Sequence, residues 1–243
     1  MNNLIKSLRC KLDAGAPFSS RELRQAGVSN ALAAKYVQSG WLERLERGVY
    51  QFAGDRLDRD RTLRFLEAHV NGLHVAGKSA LARHGYQQNL AFDETVLIWG
   101  EGRAQLPDWA KQSFRLRFAT RHLFDADFPL AERVCRLPDL PDGPQVSQPE
   151  AALLEMLSEV GVTEGVEETR NIMEGMFRVR PSRIRQAVRS CRMVKAVRLC
   201  VLWATEFNLE WAAAAREAVP EAKRKGRWVG KLNNGKTLSL LGL

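Results

Sequence analysis

The chain has 243 residues, of which 45% are apolar and 27% charged. That is globular composition with ample material for a core, and it excludes a chain disordered throughout. Thirty-seven Lys and Arg against 28 Asp and Glu leave a net charge of +9, which favours a polyanionic partner such as nucleic acid or an anionic membrane surface.

Leu4, Ile5, Leu8 and Leu12 recur at helical spacing, and Gly15 and Pro17 close this first helix. Ser19 and Glu22 have capping-box spacing, Phe18 and Leu23 stand where a hydrophobic staple belongs, and Gly27 sits at a C′ position. Ser29 is set to cap a third helix from Asn30 to about Ser39, stopped by Gly40. Leu32, Tyr36 and Val37 face inward; Asn30, Ala31, Ala34, Lys35 and Gln38 remain outside. Trp41 to Phe52 reads as two short strands with a glycine-bearing tip at Glu46 to Gly48. Two helices on a short glycine turn, followed by a hairpin, make a winged helix-turn-helix over residues 1–60. Trp41, Leu42, Leu45, Val49 and Tyr50 are assigned to its core.

Residues 61–145 read as a mixed α/β region. Arg61 to Asn71 is amphipathic through Leu63, Leu66 and Val70, and residues 73–76 look like a short strand. Thr95 to Trp99 is a continuous apolar run bounded by Gly100 and Gly102, as in a buried strand. Phe114 to Ala119 and Arg133 to Leu137 alternate with period two. Four of the nine prolines lie between Pro138 and Pro149, which predicts a loop. Ser147 to Glu150 is a second capping-box pattern, and residues 146–226 then read as almost wholly helical. Asn233, Asn234 and Gly235 predict the turn of a terminal hairpin over 227–243. The fold class expected is α+β: an N-terminal winged helix-turn-helix, a mixed middle region and a largely helical C-terminal region, with 61–243 forming one further domain.

Gly72 to Ser79 literally satisfies G-x-x-x-x-G-K-[ST]. A phosphate loop follows a buried strand, but here the preceding element is helical. The four intervening residues alternate as a strand, which would turn their N–H groups into a sheet. The reading preferred is a strand, a turn at Gly77 and a helix capped by Ser79. The nearest residue to a Walker-B acid is Glu101. His69, His74, His84 and His122 lack metal spacing, and no G-x-S-x-G is present. No catalytic residue, metal or cofactor is therefore expected. Cys10, Cys135, Cys191 and Cys200 show no CxxC spacing, so a disulfide scaffold or structural zinc is not expected. The longest apolar run, Leu199 to Ala204, has six residues against the roughly 20 of a spanning helix. The first residues carry Lys6, Arg9, Lys11 and Asp13, unlike a signal peptide. A cytoplasmic setting with no membrane partner is the expectation.

Several segments, in order, resemble the AbiEi-type antitoxins of the AbiE toxin–antitoxin and abortive-infection systems. They are Gly40 to Arg44 with Arg47 to Tyr50; Leu73 to Leu81 with His84, Gly85 and Tyr86; Leu106 to Trp109; Ser147 to Glu155; Arg180 and Pro181; and Cys191 to Leu199. Ala151 departs from the pattern, where arginine is common. The resemblance implies a sequence-specific DNA-binding protein that represses its own operon and counteracts a nucleotidyltransferase-like toxin, directly or indirectly. It implies repression by the winged helix and antitoxic action by the remainder. Its partners would be double-stranded promoter DNA with inverted repeats, and the toxin. A nuclease, or a ligand-responsive regulator without a toxin, remains the alternative.

On that reading Asn30, Lys35 and Gln38 are candidates for base edges. Arg44 and Arg47 on the wing suit phosphate or narrow-minor-groove contact, and Ser20 and Arg21 at a helix start suit a phosphate. Lys223, Arg224, Lys225 and Arg227 form the densest basic run and a candidate second polyanion contact. By segment, residues 1–60 carry +3, 61–180 carry −3 and 181–243 carry +9. The surplus thus lies far along the chain from the winged helix.

Overall fold

A computed structural model describes residues 2–86, 95–101, 105–231, 235 and 237–243. The expected Gly102 boundary and the Asn233–Asn234 turn lie outside these residues.

The chain begins with α1 (Asn2–Lys11), β1 (Phe18–Ser19), α2 (Ser20–Gln25), α3 (Asn30–Gln38), β2 (Leu42–Glu46) and β3 (Val49–Phe52). The three strands form an antiparallel sheet in the order β1-β3-β2. Ile5, Leu8, Phe18, Leu23, Val28, Ala33, Tyr36, Leu42 and Phe52 make one small core. The expected order of helices and hairpin is therefore present. Tyr36 points inward as read; Leu32 and Val37 are half-buried beside it, and Ala33 joins the core. Trp41 is a correction. It is 44% exposed, because only its backbone is committed: its N–H donates to Tyr36 O and its carbonyl accepts from Ala53 N.

The middle of the chain comprises α4 (Arg59–Glu67), β4 (His74–Val75), α5 (Gly77–Arg83), β5 (Val96–Gly100), α6 (Asp108–Ser113), β6 (Leu116–Thr120), α7 (Leu130–Arg133), β7 (Val134–Cys135) and β8 (Val146–Ser147). One mixed sheet runs β6-β5-β4-β8-β7, with β5/β6 and β4/β8 parallel and the other pairs antiparallel. Every residue of β5 is buried, as its unbroken apolar run requires.

Three local readings are corrected here. The proline-rich stretch contains β8, a buried two-residue strand inside the sheet; prolines bound it without interrupting it. Of Arg133 to Leu137, only Val134–Cys135 is strand, because a helical turn ends at Arg133. Ser147 does not cap the next helix. The N-cap is Gln148, with no side-chain cap, because Ser147 and the buried Glu150 are drawn to other partners.

The remainder is α8 (Pro149–Glu159), α9 (Val166–Glu174), α10 (Pro181–Ser190), α11 (Val194–Glu206), α12 (Ala212–Glu217) and α13 (Glu221–Arg224), then a hairpin of β9 (Trp228–Lys231) and β10 (Thr237–Leu240). Helix α8 is buried on all sides from Glu150 to Glu159 and packs against α5, α10 and α11. It is the axis of a second, larger core that reaches back to Val49 and Leu45 of the first hairpin.

Candidate nucleic-acid interface

The geometry of α2 and α3 follows from their ends. Ser19 Oγ accepts from Glu22 N, and Glu22 Oε2 accepts from Ser19 N at 2.6 Å, completing the capping box. Phe18 and Leu23 are both buried in the core below it. Gly27 has φ +88°, which reverses the chain after only six helical residues. Val28 is buried and Ser29 Oγ accepts from Leu32 N at 3.2 Å, starting α3 at once.

The outward face of α3 carries Asn30, Ala31, Ala34, Lys35 and Gln38, all exposed. Arg24 on α2 donates to Asn30 Oδ1 at 3.4 Å. Sequence reasoning missed Arg24. The contact crosses the turn between helices, and no helical spacing predicts it.

At the hairpin tip Gly48 has φ +84°. Ser20 N donates to Gly48 O at 2.8 Å, and Ser20 Oγ donates to the same oxygen at 3.2 Å. Both Ser20 donors are therefore engaged with the hairpin tip, which they tie to the start of α2. Arg21 and Arg47 stand exposed on either side of this junction, and Arg44 donates through Nε to Glu46 O at 3.2 Å. A register shift between Arg44 and Glu46 turns Leu45 toward the larger core.

The basic run 223–227 sits against backbone carbonyls. Lys223 Nζ donates to Cys191 O at 2.6 Å, and Arg224 donates to Val219 O at 3.0 Å and to Arg216 O at 3.2 Å. Lys225 pairs with Glu221 at 3.2 Å and Arg227 Nε donates to Ser239 Oγ at 2.7 Å. Underneath, Arg198 is 2% exposed and donates to the carbonyls of Lys223, Lys225, Gly226, Leu240 and Leu241 at 2.6–3.3 Å. It joins the run to the terminal hairpin.

The phosphate-loop look-alike is closed. Gly77 N donates at 2.8 Å to Glu155 Oε2, a carboxylate with no exposure. Ser147 Oγ donates to Oε1 of the same residue at 2.9 Å. A protein carboxylate thus stands where a bound anion would have to sit. Lys78 pairs with Glu168 at 3.0 Å and Glu164 at 3.3 Å. Burial works against its charge, but these carboxylates prevail and hold the ammonium above the ordinary lysine range. Ser79 is not a cap: its Oγ accepts from Leu97 N at 2.9 Å, fastening α5 to β5. Among the described residues no His, Cys, Asp or Glu cluster is arranged for a metal, and no helix is long and apolar enough to cross a membrane.

A family model described as the AbiEi antitoxin N-terminal domain of a transcriptional regulator matches residues 1–92. A second, described as a transcriptional regulator, AbiEi antitoxin, of the type IV toxin–antitoxin system, matches residues 93–238. The chain belongs to the AbiEi antitoxin family. As an AbiEi antitoxin it is a transcriptional regulator of a type IV toxin–antitoxin system. Its fold is similar to the crystal structure of the RV2827C protein from Mycobacterium tuberculosis, with a TM-score of 0.61 and 16% identity over 93% of this chain and 81% of that chain. At that identity the likeness concerns the fold alone. A comparison with curated proteins gives no match.

Proposed function

We propose that this AbiEi antitoxin represses its own operon by reading promoter DNA with a winged helix-turn-helix formed by residues 1–60. In this reading α3 enters the major groove. Asn30, Lys35 and Gln38 meet base edges, while Ala31 and Ala34 allow close approach and contact with a thymine methyl. Arg21, Arg44 and Arg47 hold phosphates, and Ser20 positions the wing beside them. The observation that carries the reading is the outward face of α3. Its two alanines and three polar groups are all exposed, while Ala33 and Tyr36 anchor the opposite face. Inverted repeats in the operator would place two copies on one duplex.

The remainder of the chain, 61–243, counteracts a nucleotidyltransferase-like toxin, and the 223–227 run contributes a second contact with a polyanion. Two experiments test these claims. The purified chain should retard a duplex from its own promoter at moderate salt. Co-expression of the chain should restore growth to cells producing the toxin encoded beside it. Failure of the first removes the repressor claim, and failure of the second removes the toxin claim.

A further inference from the structure

Beside the first hairpin, the small N-terminal unit and the sheet-bearing body leave a cleft. It consists of two adjoining cavities of about 630 and 450 Å³ that share Arg56, Gln112, Ser113 and Phe114. One wall is the segment 56–60 leading into α4; the other is the end of α6 and the start of β6. Arg56, Arg59, Lys111 and Arg115 line the larger cavity, and Arg44 of the wing lines the smaller.

The carboxylates of the cleft are already engaged. Asp58 caps α4 by accepting from Arg61 N at 2.9 Å, Asp60 is held by Arg83, and Glu43 accepts from Gln51 Nε2 at 2.6 Å. Lys111 pairs with Asp108 on its own helix. Arg56 and Arg59 are exposed and form no ion pair among the described residues. Five cationic side chains, Arg44, Arg56, Arg59, Lys111 and Arg115, thus line the cleft against three carboxylates, Glu43, Asp58 and Asp60, which leaves a surplus of positive charge. It has the size of a small-ligand site and lies between two structural units, where such sites gather. Guanidinium forks match phosphate oxygens bidentately, and the multiple charge of a phosphate suits several such groups at once.

We propose that this cleft binds phosphate, with Arg56 and Arg59 as its primary ligands. The phosphate comes either from a free polyphosphate-bearing small molecule or from the backbone of bound DNA. Only the DNA arm of the test rests on the promoter reading; the free-phosphate arm needs no DNA.

The full-length protein is titrated with inorganic tripolyphosphate by calorimetry and by tryptophan fluorescence, since Trp109 lines the cleft. The same protein is titrated with its promoter duplex over a range of salt. The variants are R56Q/R59Q, K111Q on the opposite wall, and K78A as a control at the phosphate-loop look-alike. One-site saturation by tripolyphosphate, weakened at least tenfold in R56Q/R59Q, weakened less in K111Q and unchanged in K78A, supports the proposal with a free ligand as the source. Absence of saturation, together with a salt slope for the duplex about two units shallower in R56Q/R59Q, supports it with DNA as the source. Unchanged behaviour of R56Q/R59Q toward both probes overturns it, as does tripolyphosphate binding that is lost in K78A. Urea midpoints of the variants equal to that of the parent separate loss of ligand contacts from loss of fold.

Discussion

The amide of Gly77 donates to the carboxylate of Glu155, 78 residues away, at 2.8 Å in the buried core. This single bond distinguishes a structural motif from a nucleotide site. The glycine and lysine that mimic a phosphate loop start a helix whose N-terminal amide already meets an anion, supplied by α8. Ser147 completes the arrangement from β8, so α5 meets the consecutive β8 and α8 at one carboxylate.

Replacing that carboxylate should be severe. Glu155→Ala leaves two buried donors unpaired and opens a cavity, a loss of about 3 kcal/mol or more. Glu155→Gln keeps an acceptor for Gly77 and should cost about half as much. Urea unfolding of the two variants checks the order; equal midpoints for Glu155→Ala and the parent would refute the role assigned to Glu155.

Arg198 gives a second prediction. It is buried and hydrogen-bonded to five carbonyls around the basic run and the last strand. Arg198→Met should lower stability by about 3 kcal/mol or more and should free residues 223–227, accelerating trypsin cleavage there. A cleavage rate equal to that of the parent protein would show that the run is held by other contacts.

His84 makes stability depend on pH. Burial is the largest influence on its ring and lowers its pKa below 6.5; the hydrogen bond to Ser147 O at 2.9 Å opposes this without reversing it. A depressed folded-state pKa means the unfolded chain binds the extra proton first. Stability is therefore full above the unfolded-state value of about 6.5 and falls as pH drops from there through the folded-state value. The decline in urea midpoint from pH 7.5 to 5 should be shallower in His84→Gln than in the parent, and identical slopes would exclude His84 as a cause.

On the proposed DNA face the hairpin and α3 should behave differently. Arg47→Ala and Arg44→Ala should each weaken promoter and unrelated DNA alike and reduce the salt slope by about 0.9. Gln38→Ala or Lys35→Ala should cost about 1–3 kcal/mol on the promoter and less on unrelated DNA. Gel-shift titrations with both duplexes across salt concentration distinguish the two patterns.

The N-terminal unit was legible because its information is local. Ser19, Glu22, Gly27, Ser29 and Gly40 act on neighbours within a few residues, and both capping bonds and both left-handed glycines are present. What escaped depends on distant partners. Ser147 and Glu150 have capping-box spacing, yet Ser147 goes to Glu155 and Glu150 to Arg180 at 2.8 Å. Buried partners outcompete a local cap. Strand β8 is only two residues long, too short to display a period, and it exists because β4 and β7 flank it. Trp41 reads as core by residue type alone, but the fold holds it through its backbone and leaves the side chain 44% exposed. On the candidate interface the exposed face of α3 followed from helical period, whereas the Arg24–Asn30 contact and the Ser20–Gly48 bond required the tertiary fold.

The central claim is that α3 reads promoter sequence. The most direct measurement is the affinity of full-length protein, and of Lys35→Ala/Gln38→Ala, for its own promoter duplex and for an unrelated duplex at one moderate salt concentration. The parent should prefer its promoter by about 10³-fold or more, and the double variant should lose most of that preference while retaining weak binding to both duplexes. Equal affinity of the parent for the two duplexes, or an unchanged preference in the double variant, would contradict the claim.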